Sequence, residues 1–330
     1  MIRIQQDCLD GLDTLAGIQQ ALQRAVELEH ATLPPYLYAA YSLDQSKNGD
    51  IYQIIMSVVM EEMSHFGLAC NILNAIGGSP TIDNPDFVPS YPGPLPCGVE
   101  GQLTVPLAPF SLDLVSDVFM VIEEPEDPVV TAAEDFPTIG QFYDAISAAL
   151  AEQPSSIFVA KSVQVTNQSP FVTPVTDLAS AQAAIERIVE QGEGTTTSPD
   201  DAQGDLAHYY RFGEIYHGMH LIQNPSPPPA WVYEGQPAIS FDTTGVLPLV
   251  TNPKGSQYPD GSAAQKANDT FNQTYATLLK DLETAFTSTA DLSDAIGDMG
   301  DLATQAAAVM AIELGDGTNA GPSFEYVSSG

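Results

Sequence analysis

Two segments near the N-terminus place acidic and imidazole side chains among apolar residues at helical spacing. Glu29 lies in the run Val26-Glu27-Leu28-Glu29-His30, and Glu62 precedes His65 by three residues. Burying an unpaired carboxylate costs several kcal/mol, so each charge requires a cation, a metal ion or a hydrogen-bond network. Two helices that present Glu and Glu-x-x-His inward supply half of the carboxylate-bridged di-metal site of four-helix bundles.

Basic side chains are too scarce to be the obvious partners of these charges. The chain has 9 Lys and Arg residues against 43 Asp and Glu residues, and none of the basic residues shares the helical stripe of Glu29, Glu62 and His65. A single buried histidine is more often a hydrogen-bonded core residue than a ligand, and a single glutamate often faces a basic side chain. The three residues together, without a basic neighbour, favour a metal site over these alternatives.

The charge balance restricts the classes of partner. The formal net charge of −34 argues against nucleic acid, because phosphate binding requires Lys and Arg to displace counterions, and against anionic membrane surfaces. We expect a solvated acidic surface instead. A chain of 330 residues can bury a core that folds without disulfides or a structural metal, and we expect one domain over residues 1–330.

The lack of a recognisable secretory signal and the cysteine pattern predict a cytoplasmic protein. The first 7 residues lack the basic stretch and the apolar run of a secretory signal, and no apolar segment approaches membrane-spanning length. Cys8, Cys70 and Cys97 are odd in number and irregularly spaced. This pattern favours reduced thiols in a cytoplasmic setting.

Two long helices must position the acidic and imidazole side chains. Apolar residues recur at helical spacing over residues 14–43 and 50–76, and the candidate ligands fall within these stripes. Gly77-Gly78 ends the second helix. Pro34-Pro35 interrupts the first helix, and we expect a kink or local break just past Glu29 because proline lacks a backbone donor.

The rest of the chain predicts an all-α four-helix bundle with long proline-rich crossovers. The third and fourth core helices are expected at 178–193 and 199–222, with Ser198 as the cap of the fourth. Residues 156–166 have the β-branched content of one or two short strands. Further helices are expected at 111–123, 138–151, 262–287 and 291–312, and the small, polar tail 315–330 is expected to be partly disordered.

The fourth helix offers two ways to complete the site. Glu214 and His217 repeat the Glu-x-x-His spacing, but at about 100° per residue they lie about 120° and 180° from the apolar face. His208 lies on that face with Phe212 and is therefore the favoured ligand, while Glu214 could pair with Arg211 on the surface. The alternative, in which Glu214 and His217 replace His208, stays open.

The third helix offers two carboxylates. Glu193 lies nearer the apolar face than Glu190 does, if the helix persists that far. The glycines on both sides of Glu193 could let the backbone bulge, which often re-aims a side chain at a functional site. Either glutamate, or both, could serve as a ligand.

At these residues the chain resembles the bacterial ferritin-like family of the iminophenyl-pyruvate dimer synthase type. That type is the ferritin-like part of enzymes of the violacein and rebeccamycin pathways. The resemblance covers about residues 15–222 and rests on several stretches taken jointly. These are Leu28-Glu29-His30-Ala31-Thr32-Leu33-Pro34-Pro35-Tyr36-Leu37, Glu61-Glu62-Met63-Ser64-His65-Phe66, Asn71-Ile72-Leu73-Asn74-Ala75-Ile76-Gly77-Gly78, Glu190-Gln191-Gly192-Glu193-Gly194 and His208-Tyr209-Tyr210-Arg211-Phe212.

The resemblance implies a ferritin-like bundle that binds two iron ions, or iron and manganese. The implied metal ligands are Glu29, Glu62, His65, Glu193 and His208, with Glu190 as an additional or alternative ligand from the third helix. It also implies an oxidoreductase of secondary metabolism that uses dioxygen or peroxide on a small aromatic or amino-acid-derived imine or keto acid. The alternative is a metal-binding or storage protein without substrate turnover. The amphipathic C-terminal helices could complete the core or pair between subunits, so a homo-oligomer stays open.

Overall fold

Two long helices packed against each other form the centre of the fold. They are α1 (Leu15–Tyr41) and α2 (Gln45–Ala75), close to their predicted ranges. The computed structural model describes residues 6–98, 103–125, 139–168, 171–195, 198–225 and 230–328. Residue 138, where one helix was expected to begin, lies outside the described residues. So do residues 1–5, most of the N-terminal segment that was expected to lack a secretory signal.

Helix α1 continues through Pro34-Pro35, so the local break, one of the two predicted outcomes, does not occur. The helix begins at Thr14, whose side chain accepts a hydrogen bond from the Gly17 N–H at 3.1 Å. Proline at position 35 cannot donate to the Ala31 carbonyl one turn earlier. The Tyr91 hydroxyl donates to that carbonyl at 2.6 Å instead. A side chain from the following crossover thus replaces the missing backbone donor and lets the helix persist.

Helix α2 begins earlier than its predicted start at residue 50. Asp44 caps it by accepting from the Ser46 N–H at 2.9 Å. The backbone leaves helical geometry at Asn48 (φ −121°, ψ 34°). The Asn48 side chain contacts a distant loop there, accepting from the Asp242 N–H at 2.8 Å and donating to the Gly245 carbonyl at 3.0 Å. This long-range contact explains why the local pattern alone misplaced the helix start.

Several shorter helices surround the central pair. The stretch predicted at 111–123 forms α3 (Leu112–Leu114), a π-helical turn (Val115–Phe119) and α4 (Met120–Ile122). They are followed by α5 (Ile139–Ala151) and α6 (Leu178–Glu193). A reciprocal capping box between Asp177 and Ser180 starts α6. Helices α5 and α6 agree with their predicted ranges over the described residues.

The fourth core helix is shorter than predicted. It is α7 (His208–His217), because the expected cap at 198 belongs to a separate turn. The Asp201 carboxylate accepts from the Gln203 and Asp205 N–H groups, each at 2.9 Å, and such side-chain bonds compete with helix formation. Gly218 ends the helix in the left-handed region at φ 67°.

The two strands lie elsewhere than predicted. Strands β1 (His220–Asn224) and β2 (Ala230–Gly235) form an antiparallel pair after α7. Residues 156–166, predicted as strand, are not in a strand. Their backbone groups bond to α2 instead: Asn71 accepts from the Val165 N–H at 3.0 Å and donates to the Val165 carbonyl at 2.9 Å. One asparagine thus takes the place of a neighbouring strand.

The last two helices pack together and their following tail is ordered. They are α8 (Ala263–Thr284) and α9 (Ser293–Met310). The expected disorder of the tail is wrong for its described part, because Phe324 is buried against Phe271 and Tyr275, with ring centroids 4.8 Å and 5.4 Å away.

The expectation of three reduced cysteines is also wrong. A disulfide joins Cys8 to Cys97, and Cys70 is a buried free thiol. Within the described ranges, no helix combines the length and the apolar character required to cross a bilayer.

Candidate metal centre

Five buried acidic and imidazole side chains meet in the middle of the bundle. Glu29 comes from α1, Glu62 and His65 from α2, Glu123 directly follows α4, and His208 begins α7. They form two groups, Glu29–Glu62–His65 and Glu62–Glu123–His208, in which the possible ligand atoms lie within 4.8 Å of one another. We call the five residues the carboxylate–histidine cluster. Because Glu62 belongs to both groups, it can bridge two metal ions.

The first group presents one imidazole nitrogen to two carboxylates. His65 Nδ1 lies 3.6 Å from a Glu29 oxygen and 3.7 Å from a Glu62 oxygen. On the outer side of the ring, Nε2 lies 3.0 Å from the amide oxygen of Gln191. Since an amide oxygen only accepts, Nε2 carries a proton, and in its neutral form the ring offers the Nδ1 lone pair to the cluster. The Tyr143 hydroxyl donates to the other Glu29 oxygen.

The second group repeats this arrangement with different partners. His208 Nδ1 lies 2.9 Å from a Glu62 oxygen and 3.4 Å from a Glu123 oxygen. Its outer Nε2 donates to Glu61 at 3.0 Å. The Tyr36 hydroxyl donates to the second Glu123 oxygen at 2.5 Å. Each histidine therefore has an outer hydrogen-bond acceptor and an inner nitrogen aimed at carboxylates.

A metal cation fits this donor set. His208 Nδ1 is buried and has no hydrogen bond, although a Glu62 oxygen lies only 2.9 Å away. A nitrogen lone pair and a carboxylate that face each other repel unless a positive charge lies near both. Histidines that bind metals usually donate their other N–H to a carboxylate or carbonyl, as both rings do here. Carboxylate and imidazole ligands suit iron and manganese among the first-row metals.

The pKa values show how strongly the cluster attracts positive charge. Burial alone would lower the pKa of His65, but Glu29 and Glu62 outweigh burial and raise that pKa to about 9. Burial would likewise lower the pKa of His208, and Glu123 with the other nearby carboxylates raises it well above its usual value. Burial raises the pKa values of Glu29 and Glu123, and the charge of Glu62 raises them further. Bound protons or bound metal ions can balance these carboxylates.

The ion pairs of the described residues do not include one between a lysine or arginine and a cluster carboxylate. Arg211 pairs with Glu61 at 3.0 Å, outside the cluster. The expected pairing of Arg211 with Glu214 is therefore not what the structure shows. Thr32 adds a neutral donor by bonding to the second Glu62 oxygen at 2.8 Å.

The structure brings four of the six predicted ligands together, namely Glu29, Glu62, His65 and His208. The two predicted ligands from α6 lie elsewhere. Glu190 accepts from the Ala202 N–H at 3.1 Å, and Glu193 accepts from the Gly140 N–H at 2.8 Å. The α6 residue that reaches the cluster is Gln191, which contacts His65. Neighbouring positions on a helix differ by about 100° in direction, so a helix that aims Gln191 inward turns both glutamates away.

The alternative pair on α7 also lies outside the cluster. Glu214 accepts from the Leu221 N–H at 2.8 Å and lies 3.0 Å from His220 Nδ1. The His217 ring stacks on Tyr233, with centroids 4.2 Å apart. These contacts attach the end of α7 to the β1–β2 pair. His208 is the α7 residue that enters the cluster, in agreement with the helical phase.

Sequence reasoning missed Glu123. A signal for it exists, because Glu123 follows Phe119 by four residues and lies about 40° from it on a helix, on the apolar face. Phe119 is fully buried and Glu123 is 7% exposed. The π-helical turn at Val115–Phe119 changes the helical phase just before this residue, and such turns are frequent at functional sites.

Comparison with known proteins places the chain in a family. It is 26% identical over 261 residues to dichlorochromopyrrolate synthase from Lentzea aerocolonigenes, an alignment that covers 62% of this chain and 25% of that protein. The chain thus spans about a quarter of the length of this curated relative. A crystal structure of a ferritin-like protein from Caulobacter vibrioides superposes with a TM-score of 0.65 at 25% identity, covering 95% of this chain and 99% of that one.

The sequence profile of the Ferritin-like family matches residues 22–217. This range contains all five residues of the carboxylate–histidine cluster. Since it covers more than half of the chain and agrees with the sequence resemblance, the protein belongs to the ferritin-like family.

Proposed function

We propose that this protein is a non-haem di-metal oxidoreductase. Two iron ions, or one iron and one manganese ion, would bind to Glu29, Glu62, His65, Glu123 and His208. The observation that carries the proposal is the sharing of Glu62 by two buried groups, each with its own imidazole. The three carboxylates and two imidazoles suit either metal, and the order of affinities alone does not choose between them.

The surrounding side chains hold the ligand atoms in place. Gln191 fixes the tautomer of His65, and Glu61 fixes that of His208, so that both inner nitrogens are free to bind a metal. Two tyrosines and one threonine bond to carboxylate oxygens and limit their rotation. When bound, a bridged metal pair supplies the redox chemistry that activates dioxygen or peroxide.

We propose a small aromatic or amino-acid-derived imine or keto acid as the substrate. The support is the similarity to a relative named as a synthase, which is an argument by analogy. A buried aromatic group borders the second half of the cluster. Tyr36 packs on Phe119 and Phe212, with centroids 4.7 Å and 5.2 Å away. These apolar walls would keep water from the reacting atoms.

Turnover measurements test this function. The iron-loaded protein is mixed with imines of aromatic 2-keto acids under dioxygen or with peroxide, and oxidant and substrate consumption are followed. We expect turnover that is lost in Glu62→Ala and retained in Glu186→Ala, an exposed position on α6. No turnover with either oxidant, or equal turnover in Glu62→Ala, would contradict the proposal. Two bound metals without turnover would instead indicate a metal-binding or storage protein.

We also propose that residues 1–330 form one domain. One cluster of buried apolar side chains extends from Ile18 to Phe324, which supports this organisation. A cytoplasmic location stays a prediction, and the Cys8–Cys97 disulfide weighs against it because disulfides are rare in reducing compartments. Cell fractionation with a thiol count of the isolated protein tests this point.

A further inference from the structure

A cavity lies between the α1–α2 pair and the α8–α9 pair. It has a volume of about 430 Å³. None of the five residues of the carboxylate–histidine cluster lines it. It is therefore a separate cavity, and it is within the size range of small-molecule sites, about 300–1,000 Å³.

The walls of this cavity are uncharged. Among the described residues that line it there is no Asp, Glu, Lys or Arg, although the chain as a whole carries a net charge of −34. Leucine, phenylalanine and methionine side chains form most of the lining. Methionine is flexible and polarisable and adapts to ligands of varied shape. The methionines are Met56, Met60, Met63 and Met299.

A buried, hydrogen-bonded pair of polar side chains lies in the lining, which also includes Tyr41, Tyr52, Ser64 and Gln168. His30 and Tyr275 both line the cavity and are each 3% exposed, and His30 Nε2 lies 2.7 Å from the Tyr275 hydroxyl. His30 Nδ1 is buried without a hydrogen-bond partner. Native proteins rarely leave such atoms unpaired, so this one requires an explanation.

The pair has one hydrogen left to donate in either arrangement. If the Tyr275 hydroxyl donates to Nε2, the neutral His30 ring carries its proton on Nδ1. If Nε2–H donates to the tyrosine oxygen, the hydroxyl hydrogen is free. In the first arrangement a carbonyl oxygen that accepts from Nδ1–H would satisfy the unpaired His30 nitrogen; in the second, the carbonyl would accept from the tyrosine hydroxyl. The mouth of the cavity is apolar as well, since Met60 and Ile296 line it and are 52% and 44% exposed.

We propose that this cavity binds a neutral, largely apolar molecule with one carbonyl group, and that the His30–Tyr275 pair donates its remaining hydrogen to that carbonyl. An uncharged lining favours an uncharged ligand, because a buried charge would have no partner. Apolar cavities of about 150 Å³ already bind benzene, so this volume accommodates a two-ring compound. The site does not depend on bound metal and is independent of the proposed oxidoreductase activity.

Photolabelling with benzophenone tests the location. This neutral diaryl ketone has the required chemistry, and on irradiation it inserts into nearby C–H bonds, with a preference for methionine. In the native 330-residue protein we expect saturable labelling of about one molecule per chain at the four cavity methionines. The other four methionines of the chain, Met1, Met120, Met219 and Met310, serve as internal controls. Labelling spread equally over both sets, or no saturable labelling, would overturn the proposal.

Two alanines on α9 provide a matched pair of variants. Ala303 lines the cavity, whereas Ala307 is exposed one turn later and does not. We expect Ala303→Trp to fill the space and weaken benzophenone binding at least tenfold, and Ala307→Trp to leave binding unchanged. Equal binding by both folded variants would overturn the proposal. If Ala303→Trp fails to fold, the labelling pattern of the native protein decides alone.

The carbonyl contact has its own spectroscopic test. The infrared carbonyl stretch of bound benzophenone should move to lower frequency than in an apolar solvent, because a hydrogen bond weakens the C=O bond. A bound stretch at the apolar-solvent frequency would overturn this contact. Binding should be the same in metal-free protein and in Glu62→Ala, so failure of the proposed oxidoreductase function would leave this result unaffected.

Discussion

The substitution Glu123→Gln distinguishes the ligand set of the structure from the one predicted from the sequence. Glutamine has nearly the same shape and keeps an oxygen that can accept from Tyr36, so local packing is preserved. It removes the negative charge from the group formed by Glu62, Glu123 and His208, and leaves the group of Glu29, Glu62 and His65 intact. We expect the metal content to fall from two ions per chain to one.

The expected change in stability follows from mass action. A ligand that binds only the folded state at 100 times its Kd stabilises that state by about 2.7 kcal/mol per site. Two sites of this affinity give about 5 kcal/mol in the native protein, and the variant should retain about half. Without metal, burial and the charge of Glu62 raise the pKa of Glu123, which means that its ionised form is disfavoured in the fold. The substitution should therefore not lower the stability of the metal-free protein.

Elemental analysis and denaturant unfolding with and without Mn²⁺ measure both quantities. The matched controls are Glu190→Gln and Glu193→Gln, which change the same residue type on α6, outside the cluster. Both controls should keep two metals and the full gain in stability. Two bound metal ions in Glu123→Gln, together with the loss of a metal ion in Glu193→Gln, would refute the ligand assignment and favour the one expected from the sequence.

Three further perturbations have defined outcomes. Tyr143→Phe removes the donor to Glu29 and should weaken Mn²⁺ binding at that group about 10–100-fold in calorimetric titrations; unchanged affinity would show that the bond is dispensable. The disulfide Cys8–Cys97 spans 89 residues, so its removal should lower the free energy of unfolding by about 4.6 kcal/mol. Denatured, unreduced protein should show one free thiol, and three free thiols would contradict the bridge. Burial and neighbouring acids raise the pKa of Asp298 to about 6 from 3.8. Its ionisation therefore destabilises the folded state as the pH rises above about 4. Asp298→Asn should raise the Tm at pH 7 but leave it unchanged below pH 4.

Helical periodicity was sufficient to predict a helix and its buried side chains where one face of a long helix packs against the core. The ranges of α1 and α6, the C-terminal end of α2 and the inward direction of Glu29, Glu62 and His65 follow from 3.6-residue spacing, because burial selects one face over many turns. His208 could be chosen over His217 for the same reason. Local spacing thus identified the half of the site that long helices carry.

Contacts between distant segments determined what the sequence alone could not predict. Tyr91 keeps α1 helical past its two prolines, and Asn71 replaces a strand partner for residues near 165. Glu123 enters the cluster from a short stretch whose π-helical turn shifts its phase. Gln191 lies where a glutamate was expected, between two glutamates that bond to backbone amides elsewhere. None of these pairings is visible in local spacing.

Anomalous diffraction from crystals of the protein loaded with iron or manganese tests the central claim most directly. We predict two metal peaks roughly 3.5–4 Å apart, one between Glu29, Glu62 and His65 and the other between Glu62, Glu123 and His208, with Glu62 between them. A cluster without anomalous density after loading, or density beside Glu190 or Glu193 instead, would contradict the claim that these buried carboxylates and histidines bind a metal pair.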